Sequence, residues 1–382
     1  MEKKSRMALV QSVDYDKWPM GGTLTYILNI VPTLAENFEL DLWGVNVDRE
    51  STPNPVIHNK TYKVNWYANV ISKKKIMPNA IRVFLGMYKN ADKFKDYDII
   101  FCHTAPELMA LRLRLGKKMP FVAYVQHGLN YLNSPNRILR CFITITGQYA
   151  QFYSDLSFIV TDKTSFKEYI LRPEKKNAGP FYQVGSPIDW DEIRSHDNRT
   201  KFKNAKFIFT GRMDKDKQAH VAIEAFSHYC KEYDDMAELA IVGDGLERET
   251  CIQRAKELGI EKQVKFYGKL DRKEVIEKLF ENNIFLLPSV GEGMSLSSLE
   301  ALAAGLPVIA FNVTGLRNLV KNGENGFLVD SLYSREKYAE AMYKAFCDWE
   351  NLSNNAVESS KAYDGKSVAE YMMKCIMVEY KD

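Results

Sequence analysis

The amino-acid sequence predicts an α/β protein made of two Rossmann-like domains with parallel sheets facing an interdomain cleft. Its 382 residues exceed one ordinary hydrophobic core, so two domains are expected. Short apolar runs alternate with helical segments along the chain, which is typical of parallel sheets covered by helices. A polar stretch at 185–200 separates two halves, each with enough strands for one such sheet.

Each half contains about five candidate strands, read as short apolar runs buried on both faces. They are residues 7–10, 40–45, 99–102, 121–125 and 158–161 in the first half, and 207–210, 239–242, 264–266, 284–287 and 308–311 in the second. We place the first domain at 1–188 and the second at 189–364. Residues 365–382 are predicted to form a helix. A ligand is then expected at the carboxyl ends of the strands.

Composition indicates a chain that stays in the cytoplasm. No run of eighteen apolar residues is present, and the start of the sequence leads into a strand rather than the apolar stretch of a signal peptide. The six cysteines are scattered without a Cys-x-x-Cys pair, which argues against a disulfide framework and a zinc cluster. We expect no nucleic-acid partner.

Charge is distributed unevenly between the two halves. Residues 1–190 contain 25 Lys and Arg against 17 Asp and Glu, whereas the remainder has 27 against 32. Segment 73–89 combines Lys73, Lys74 and Lys75 with an apolar helical stripe at Ile81, Phe84, Leu85 and Met87 or Tyr88. Such a segment can rest on an anionic membrane at its cytoplasmic face. The alternative is an amphipathic helix packed on its own domain with its lysines in water.

The most informative pattern is a strand, a glycine loop and a helix, with Glu292 on the loop and Glu300 on the helix. Ser295 is placed to cap a helix predicted at 296–304, whose free amide groups form an anion site. At about 1.5 Å rise per residue, Glu300 lies roughly 8 Å along the axis from the loop. The two carboxylates could accept hydroxyl hydrogens from both ends of one long ligand whose phosphates lie between them, and a nucleotide sugar has that shape.

The segment Glu292-Gly-Met-Ser-Leu-Ser-Ser-Leu-Glu300 resembles the Glu-x7-Glu signature of family 4 retaining glycosyltransferases, which have the GT-B fold. Other segments resemble motifs of that family in order and spacing. These are Thr210-Gly-Arg-Met-Asp-Lys-Asp-Lys217, Ala240-Ile-Val-Gly-Asp-Gly-Leu-Glu-Arg248, Phe266-Tyr267-Gly268-Lys269-Leu270 and Asn322-Gly-Glu-Asn-Gly-Phe-Leu-Val329. The similarity is sharp from about residue 185 onward. In the resembling family the helix at 365–382 crosses back to the first domain.

The resemblance implies roles for the matching residues. Glu292 would bind hydroxyls of the transferred sugar, and Glu300 would hold the ribose hydroxyls. Arg212 and Lys217 would stabilise the departing diphosphate, because breaking a sugar–phosphate bond builds negative charge there. The nucleotide would also contact backbone or side chains at Gly243, Gly268, Lys269, Gly293, Met294, Ser295 and Leu296.

The first domain offers fewer matching residues. Gly21 and Gly22 resemble the family's glycine loop between strand and helix, where backbone approaches the diphosphate. His127 matches a Thr-x-His-Gly position beside the donor sugar, although a single histidine is more often structural. His103, which also ends a predicted strand, is ranked second. Trp18 and Pro19 lengthen the glycine loop, in the direction of an acceptor.

Several other chemistries are disfavoured by the motifs. The sequence has no Gly-x-Gly-x-x-Gly and no Gly-x4-Gly-Lys-Ser/Thr loop, which argues against dinucleotide redox and P-loop chemistry. Asp189-Trp-Asp191 formally matches an Asp-x-Asp metal motif, but its context favours a structural turn. The resembling family needs no metal for the diphosphate, so we expect no metal and no cofactor.

The sequence therefore predicts a metal-independent, retaining hexosyltransferase that uses a nucleotide sugar, with UDP-sugars favoured over GDP-sugars. The acceptor would be a glycan or lipid-linked glycan in the synthesis of a bacterial capsule, exopolysaccharide or lipopolysaccharide. The alternatives are a catalytically silent GT-B partner subunit and a GT-B nucleotide-sugar epimerase. Two residues depart from the family pattern: Gln218 replaces a glycine, which can alter loop shape, and Asn318 stands where many relatives carry glutamate.

Overall fold

The computed structural model describes residues 4–15, 22–51, 54–57, 60–71, 79–127, 137–172, 178–197, 203–330 and 334–381. Contacts within the chain divide it into two compact units. The first comprises Met1–Pro187 together with Gly365–Asp382, and the second comprises Ile188–Asp364.

The first unit is built on a seven-stranded sheet in the order β5-β2-β1-β6-β7-β8-β9, in which every pair of neighbours is parallel. Its strands are β1 Arg6–Val10, β2 Glu39–Val47, β5 Val64–Val70, β6 Ile99–Cys102, β7 Phe121–His127, β8 Leu156–Val160 and β9 Phe181–Val184, with a separate antiparallel hairpin of β3 Val56–Ile57 and β4 Lys60–Thr61. Its helices are α1 Gly22–Asn37, α2 Asn79–Asn90, α3 Ala105–Leu115, α4 Arg137–Tyr153, α5 Lys163–Ile170 and α13 Gly365–Lys381.

The second unit is built on a six-stranded parallel sheet in the order β12-β11-β10-β13-β14-β15. Its strands are β10 Lys206–Thr210, β11 Glu238–Val242, β12 Val264–Gly268, β13 Ile284–Leu287, β14 Val308–Phe311 and β15 Gly326–Val329. Its helices are α6 Trp190–Ser195, α7 Ala219–Glu232, α8 Arg248–Glu257, α9 Arg272–Phe280, α10 Leu296–Ala303, α11 Arg335–Cys347 and α12 Trp349–Ser360.

Both sheets have the strand order of a Rossmann fold, so this part of the prediction is confirmed. In the second sheet β10, β11 and β12 lie side by side from the centre to one edge, and β13, β14 and β15 lie side by side from the centre to the other edge. This is the order 3-2-1-4-5-6. The central strands are buried on both faces, because helices cover both sides of a parallel sheet. All four residues of β13 and of β14 are fully buried.

The strand predictions were incomplete at the sheet edges. The sequence analysis located strands near β1, β2, β6, β7, β8 and β10 to β14, but it missed β5, β9 and β15. β15 begins at Gly326, in a segment that reads as a turn; an added Cβ there would lie 2.1 Å from the Val308 carbonyl oxygen, so only glycine permits this pairing. β5 and β9 carry polar side chains and lack a continuous apolar run.

Helix α13 packs on α1 within the first unit. Gly365 starts the helix, and a Cβ there would lie 2.3 Å from the Asn29 carbonyl oxygen. The Tyr26 hydroxyl reaches Sδ of Met372 at 3.5 Å. The close backbone approach and the buried Tyr26 fix the last helix of the chain against the first.

Candidate functional site

The second sheet reverses strand order between β10 and β13, which is where ligands bind in open parallel sheets. The loop after β10 carries Arg212 and Lys217, and the loop after β13 carries Glu292. A backbone hydrogen bond joins the two loops, in which Val290 N donates to the Asp216 carbonyl at 3.0 Å. The sheet topology thus brings together two motifs that are separated by 75 residues.

Lys217 and Glu292 form a direct ion pair. Nζ of Lys217 donates to Oε1 of Glu292 at 2.6 Å, and the side chains are 20% and 9% exposed. The Lys217 amide is held by Asp214, whose carboxylate accepts it at 3.1 Å. A lysine with one partner and a partly open environment can still offer its other two N–H groups to a phosphate oxygen.

Arg212 differs from Lys217 in its surroundings. Its side chain is 79% exposed and pairs with Asp214, with Nη1 and Oδ2 3.2 Å apart. Arg212 therefore lies on the same loop as Lys217, and its guanidinium is paired with Asp214 through Nη1. An exposed pair of this kind contributes little to stability, so Arg212 is free to reorient toward an anion.

Gln218 lies between Lys217 and the start of α7, at a position where the resembling family has a glycine. This residue has a φ of 50° and lies in the left-handed region, which glycine adopts without strain. Its left-handed backbone is thus one that a glycine at this position would adopt more easily.

Helix α10 begins as predicted. Ser295 is its N-cap, with an extended backbone, and its side-chain oxygen accepts the Ser298 amide at 3.2 Å. Met294 and Ser295 are buried, whereas Gly293 and Leu296 are partly exposed. Gly315 packs against this loop so closely that an added Cβ would lie 2.5 Å from the carbonyl oxygens of Glu292 and Gly293. The amino end of α10 is therefore fixed from two sides.

Glu300 lies on α10 in a three-residue ion cluster. Nη1 of Arg272 donates to Oε1 of Glu300 at 2.9 Å, and Nε of Arg272 donates to Oε2 of Glu192 at 2.6 Å. Burial raises the pKa of Glu300, and the Arg272 guanidinium opposes that rise. Burial alone would lower the pKa of Arg272, but Glu300 and Glu192 outweigh it and raise the pKa above its ordinary value. The pairing favours the ionised form of Glu300.

Asp189 has a structural role in this fold. Its side chain accepts the Glu192 amide at 2.9 Å and caps α6. Asp191 lies in the first turn of the same helix and is exposed. Within the described ranges, no group of three or more His, Cys, Asp or Glu side chains is arranged to hold a metal ion. Asp189 therefore serves as the N-cap of α6 in this structure.

The loops after β11 and β12 lie beside the loop after β10. Gly243 N donates to the Gly268 carbonyl at 2.8 Å, and a Cβ on Gly243 would lie 1.8 Å from the Gly211 carbonyl oxygen. Glycine is thus required at 243 by backbone packing, independently of any ligand. Lys269 is exposed, and the neighbouring Tyr267 ring lies under Nζ of Lys278 at 4.7 Å.

In the first unit the structure joins the two candidate histidines. His103 follows β6 and His127 ends β7, and Nδ1 of His103 lies 3.1 Å from Nε2 of His127. The Tyr26 ring meets both imidazoles edge-on. Burial lowers the pKa of His127 to about 4, and burial together with the neighbouring His127 lowers the pKa of His103 well below its ordinary value. Both rings are therefore neutral at pH 7.

Only some of the remaining first-domain candidates lie within the described residues. Gly22 is the first residue of α1 and is exposed. Gly21, Trp18 and Pro19 lie outside the described residues, as do Lys73, Lys74 and Lys75. Of the predicted apolar stripe on α2, Met87 is buried, whereas Ile81, Leu85 and Tyr88 are each about two-fifths exposed at 39%, 40% and 40%.

Sequence reasoning missed two residues of these sites. Arg272 was not singled out, although Asp271 and Glu274 form a capping box that places it at the first position of α9. Tyr26 was also missed, since a buried aromatic on a helix gives no sign of the histidines it contacts. Both residues act through contacts distant in sequence, for which the only local signal is the helix start at Asp271.

The second unit also matches a known protein family. Residues 191–362 match the model of glycosyl transferases group 1. The D-inositol 3-phosphate glycosyltransferase of Corynebacterium urealyticum is 29% identical over 181 residues, which are 45% of this chain and 42% of that enzyme. The chain thus spans less than half the length of this curated relative. The sequence matches support the glycosyltransferase superfamily.

Solved structures with the same fold cover nearly the whole chain. Sucrose-phosphate synthase from Thermosynechococcus elongatus has a TM-score of 0.78 at 18% identity, covering 99% of this chain and 100% of that one. HepE of Anabaena in complex with UDP-glucose has a TM-score of 0.73 at 16% identity, covering 98% and 99%. These structural neighbours are GT-B glycosyltransferases, and the predicted fold class, α/β with two Rossmann-like halves of the GT-B type, is confirmed.

Proposed function

We propose that this protein is a retaining glycosyltransferase that moves a hexose-type sugar from a nucleotide sugar to a glycan or lipid-linked glycan acceptor. The observation that carries the proposal is the Lys217–Glu292 pair at the switch point of the second sheet, next to the capped amino end of α10. A cation, a carboxylate and the amino end of a helix lie together at the place where Rossmann-like sheets bind nucleotides.

The donor is assigned as a UDP-sugar. The supporting observation is that HepE, which shares this fold, is described in complex with UDP and with UDP-glucose. In the second unit, Glu300 is assigned to the ribose hydroxyls, since its Oε2 has no partner among the described residues while Oε1 is held by Arg272. Two ribose hydroxyls can both donate to one ionised carboxylate.

The chemical step needs charge stabilisation at the leaving group. As the sugar–phosphate bond breaks, negative charge develops on the diphosphate, and Lys217, Arg212 and the amides at the start of α10 are assigned to stabilise it. Glu292 is assigned to hydroxyls of the transferred sugar. The acceptor hydroxyl is assigned to attack the anomeric carbon on the face from which the diphosphate leaves, and the departing phosphate is assigned to accept the proton of that hydroxyl. Attack on this face retains the anomeric configuration, and the step requires no metal.

His127 is assigned to a sugar hydroxyl. Its ring is neutral at pH 7, and its Nε2 is taken by His103, so Nδ1 remains for a ligand within the described structure. A neutral imidazole forms one directed hydrogen bond and adds no charge. This role fits sugar recognition better than stabilisation of a diphosphate.

The proposal is tested by a thermal-shift screen of the purified protein against UDP, GDP, ADP and their common sugars, with and without EDTA. A ligand that binds only the native state raises Tm. We expect stabilisation by uridine nucleotides that EDTA does not remove and that Glu300→Ala abolishes. No shift with any nucleotide would contradict the proposal and favour a silent partner subunit. Proton NMR of the glycosylated product, showing the donor's anomeric configuration, tests retention.

We further propose peripheral contact with an anionic membrane at the cytoplasmic face. Ile81, Leu85 and Tyr88 on α2 present partly exposed apolar side chains, next in sequence to the basic segment. Among the described helices none is long and apolar enough to span a bilayer. Sedimentation with phosphatidylglycerol vesicles should fall when Leu85 or the lysine cluster is changed to glutamate. It should remain unchanged for Leu246→Glu, a 96% exposed control in the other unit.

A further inference from the structure

Arg272 links two carboxylates from different helices. It is the first residue of α9, and its guanidinium reaches Glu192 on α6 through Nε and Glu300 on α10 through Nη1. The side chain of Arg272 is 25% exposed, and those of Glu192 and Glu300 are 35% and 15% exposed. The cluster carries one positive and two negative charges, so it is not a balanced ion pair.

This geometry is poorly explained by stability alone. A half-buried ion cluster repays little more than the cost of desolvating its charges. In addition, Nη2 of Arg272 is buried and has no hydrogen-bond partner in the part of the chain that the structure describes. A buried donor without a partner is unfavourable. The guanidinium is therefore held on its two carboxylates although its Nη2 makes no hydrogen bond among the described residues.

The helices around Glu300 are tied to one another by the same residues. Asp189 caps α6 and places Glu192 in its first turn, where a carboxylate is favoured by the helix dipole. Arg194 at the other end of α6 donates to the Ala303 carbonyl, the last residue of α10, at 3.1 Å. Helix α6 therefore holds α10 at its carboxyl end directly and at Glu300 through Arg272.

We propose that Arg272 is a positioning residue for the nucleoside of the donor. By holding Oε1 of Glu300, it fixes this carboxylate in one rotamer and one charge state and keeps Oε2 as the acceptor for the ribose hydroxyls. Glu192 orients the guanidinium from the opposite side. This inference rests on the proposed function, because it deepens the role of a residue already assigned to the nucleotide.

Among the described residues, two charged groups act on Glu300. Arg272 stabilises its ionised form and Glu192 opposes it. Of the elements packed on α10, strands β13 and β14 contain only apolar residues. The charged residues of α12, Glu350 and Glu358, are exposed, and on α6 Asp191 is exposed while Arg194 is engaged at the far end of α10. Removing Arg272 or Glu192 should therefore shift the titration of Glu300 in opposite directions.

The experiment measures the Kd of UDP by calorimetry between pH 5 and pH 8.5 for the wild type and four variants. The phosphate of UDP titrates near pH 6 in every sample, so only differences between proteins are interpreted. In Arg272→Met the pH at which affinity is half lost should rise by about one unit or more, since an opposite charge at this range lowers a carboxyl pKa by that amount. In Glu192→Gln it should fall, and Arg272→Lys should restore most of the wild-type profile.

Arg254→Met is the matched control, because Arg254 also bridges two carboxylates in this unit, Glu224 at 2.8 Å and Glu257 at 3.2 Å. Its profile should match that of the wild type. The proposal is overturned if Arg272→Met also matches the wild type, or if Arg272→Met and Glu192→Gln shift in the same direction. If Arg272→Met does not fold, Glu192→Gln and Arg272→Lys decide the question. A wild type that binds no UDP would instead refute the proposed function.

Discussion

At the scale of single residues, the paired histidines of the first unit predict how the stability of the folded state depends on pH. Two imidazoles 3.1 Å apart at the ends of β6 and β7 cannot both be charged without strong repulsion. His103 is buried and His127 is partly buried. In the unfolded chain each has an ordinary pKa of about 6.5. The folded state therefore binds fewer protons than the unfolded state at mildly acidic pH.

This difference predicts a loss of stability in acid that begins below pH 6.5. Because the folded pKa of His127 is lowered to about 4, its contribution is fully present above pH 6.5 and is lost as pH falls to about 4. At 1.36 kcal/mol per unit, His127 should account for about 3 kcal/mol. The check is urea unfolding at pH 7 and pH 4.5 for the wild type and the double variant His103→Gln, His127→Gln.

The double variant should show a smaller drop between the two pH values than the wild type. His228→Gln serves as the control, because His228 is 40% exposed and lies in the other unit. An equal drop in all three proteins would show that the histidines are not neutral in the folded state at pH 4.5.

Residues that belong to one local motif were the ones that sequence could predict. Glu292, Ser295 and Glu300 follow from a strand, a loop and a helix read in one stretch, and Lys217 from a second stretch. The contact of Lys217 with Glu292 depends on strand order, which no local pattern contains. Arg272 was missed for the same reason, since its importance lies in two partners that are 80 and 28 residues away.

At the scale of elements, the loops at the switch point are fixed by glycines that meet backbone. Gly243 lies against the Gly211 carbonyl and has a φ of 132°, so both space and conformation exclude a side chain. Gly291 lies in the loop of Glu292 but has open space around it and no positive φ. Packing and backbone conformation therefore require glycine at 243, whereas neither requires it at 291.

Gly243→Ala should destabilise the protein by about 2 kcal/mol or more, because the loops after β10 and β11 must separate. Gly291→Ala should change the unfolding free energy by less than about 0.5 kcal/mol. Thermal or urea unfolding of both variants checks the pair. Equal stabilities would mean that the two loops are not packed as closely as the structure places them.

Elements were predictable where burial is complete. β6, β13 and β14 are unbroken apolar runs because helices cover both faces of the sheet, and their predicted bounds match the structure. Three of the four edge strands of the two parallel sheets, β5, β9 and β15, carry polar side chains or a starting glycine and gave no such run, whereas the fourth, β12, was located. Their existence is decided by backbone pairing with a neighbouring strand, and this pairing depends on residues distant in sequence.

At the scale of the whole molecule, the chain pairs a basic first unit with an acidic second unit, each with its own Rossmann-like sheet. The chain length and the alternation of apolar runs with helical segments could predict two domains of this class. The unit boundaries found by contacts, Pro187 with Ile188 and Asp364 with Gly365, depend on the return of α13 to α1. That return was predicted from the family resemblance and has no signature in composition.

The measurement that tests the central claim most directly is calorimetric titration of UDP, in EDTA, into the wild type, Lys217→Met and Lys265→Met. Lys265 is the control because its pair with Glu238, at 3.1 Å, lies on the surface of the same unit. We predict metal-independent binding that weakens at least about tenfold in Lys217→Met, which loses a charge-assisted contact, and is unchanged in Lys265→Met. Equal affinity in all three proteins would contradict the account, because the nucleotide would then bind away from the Lys217–Glu292 pair.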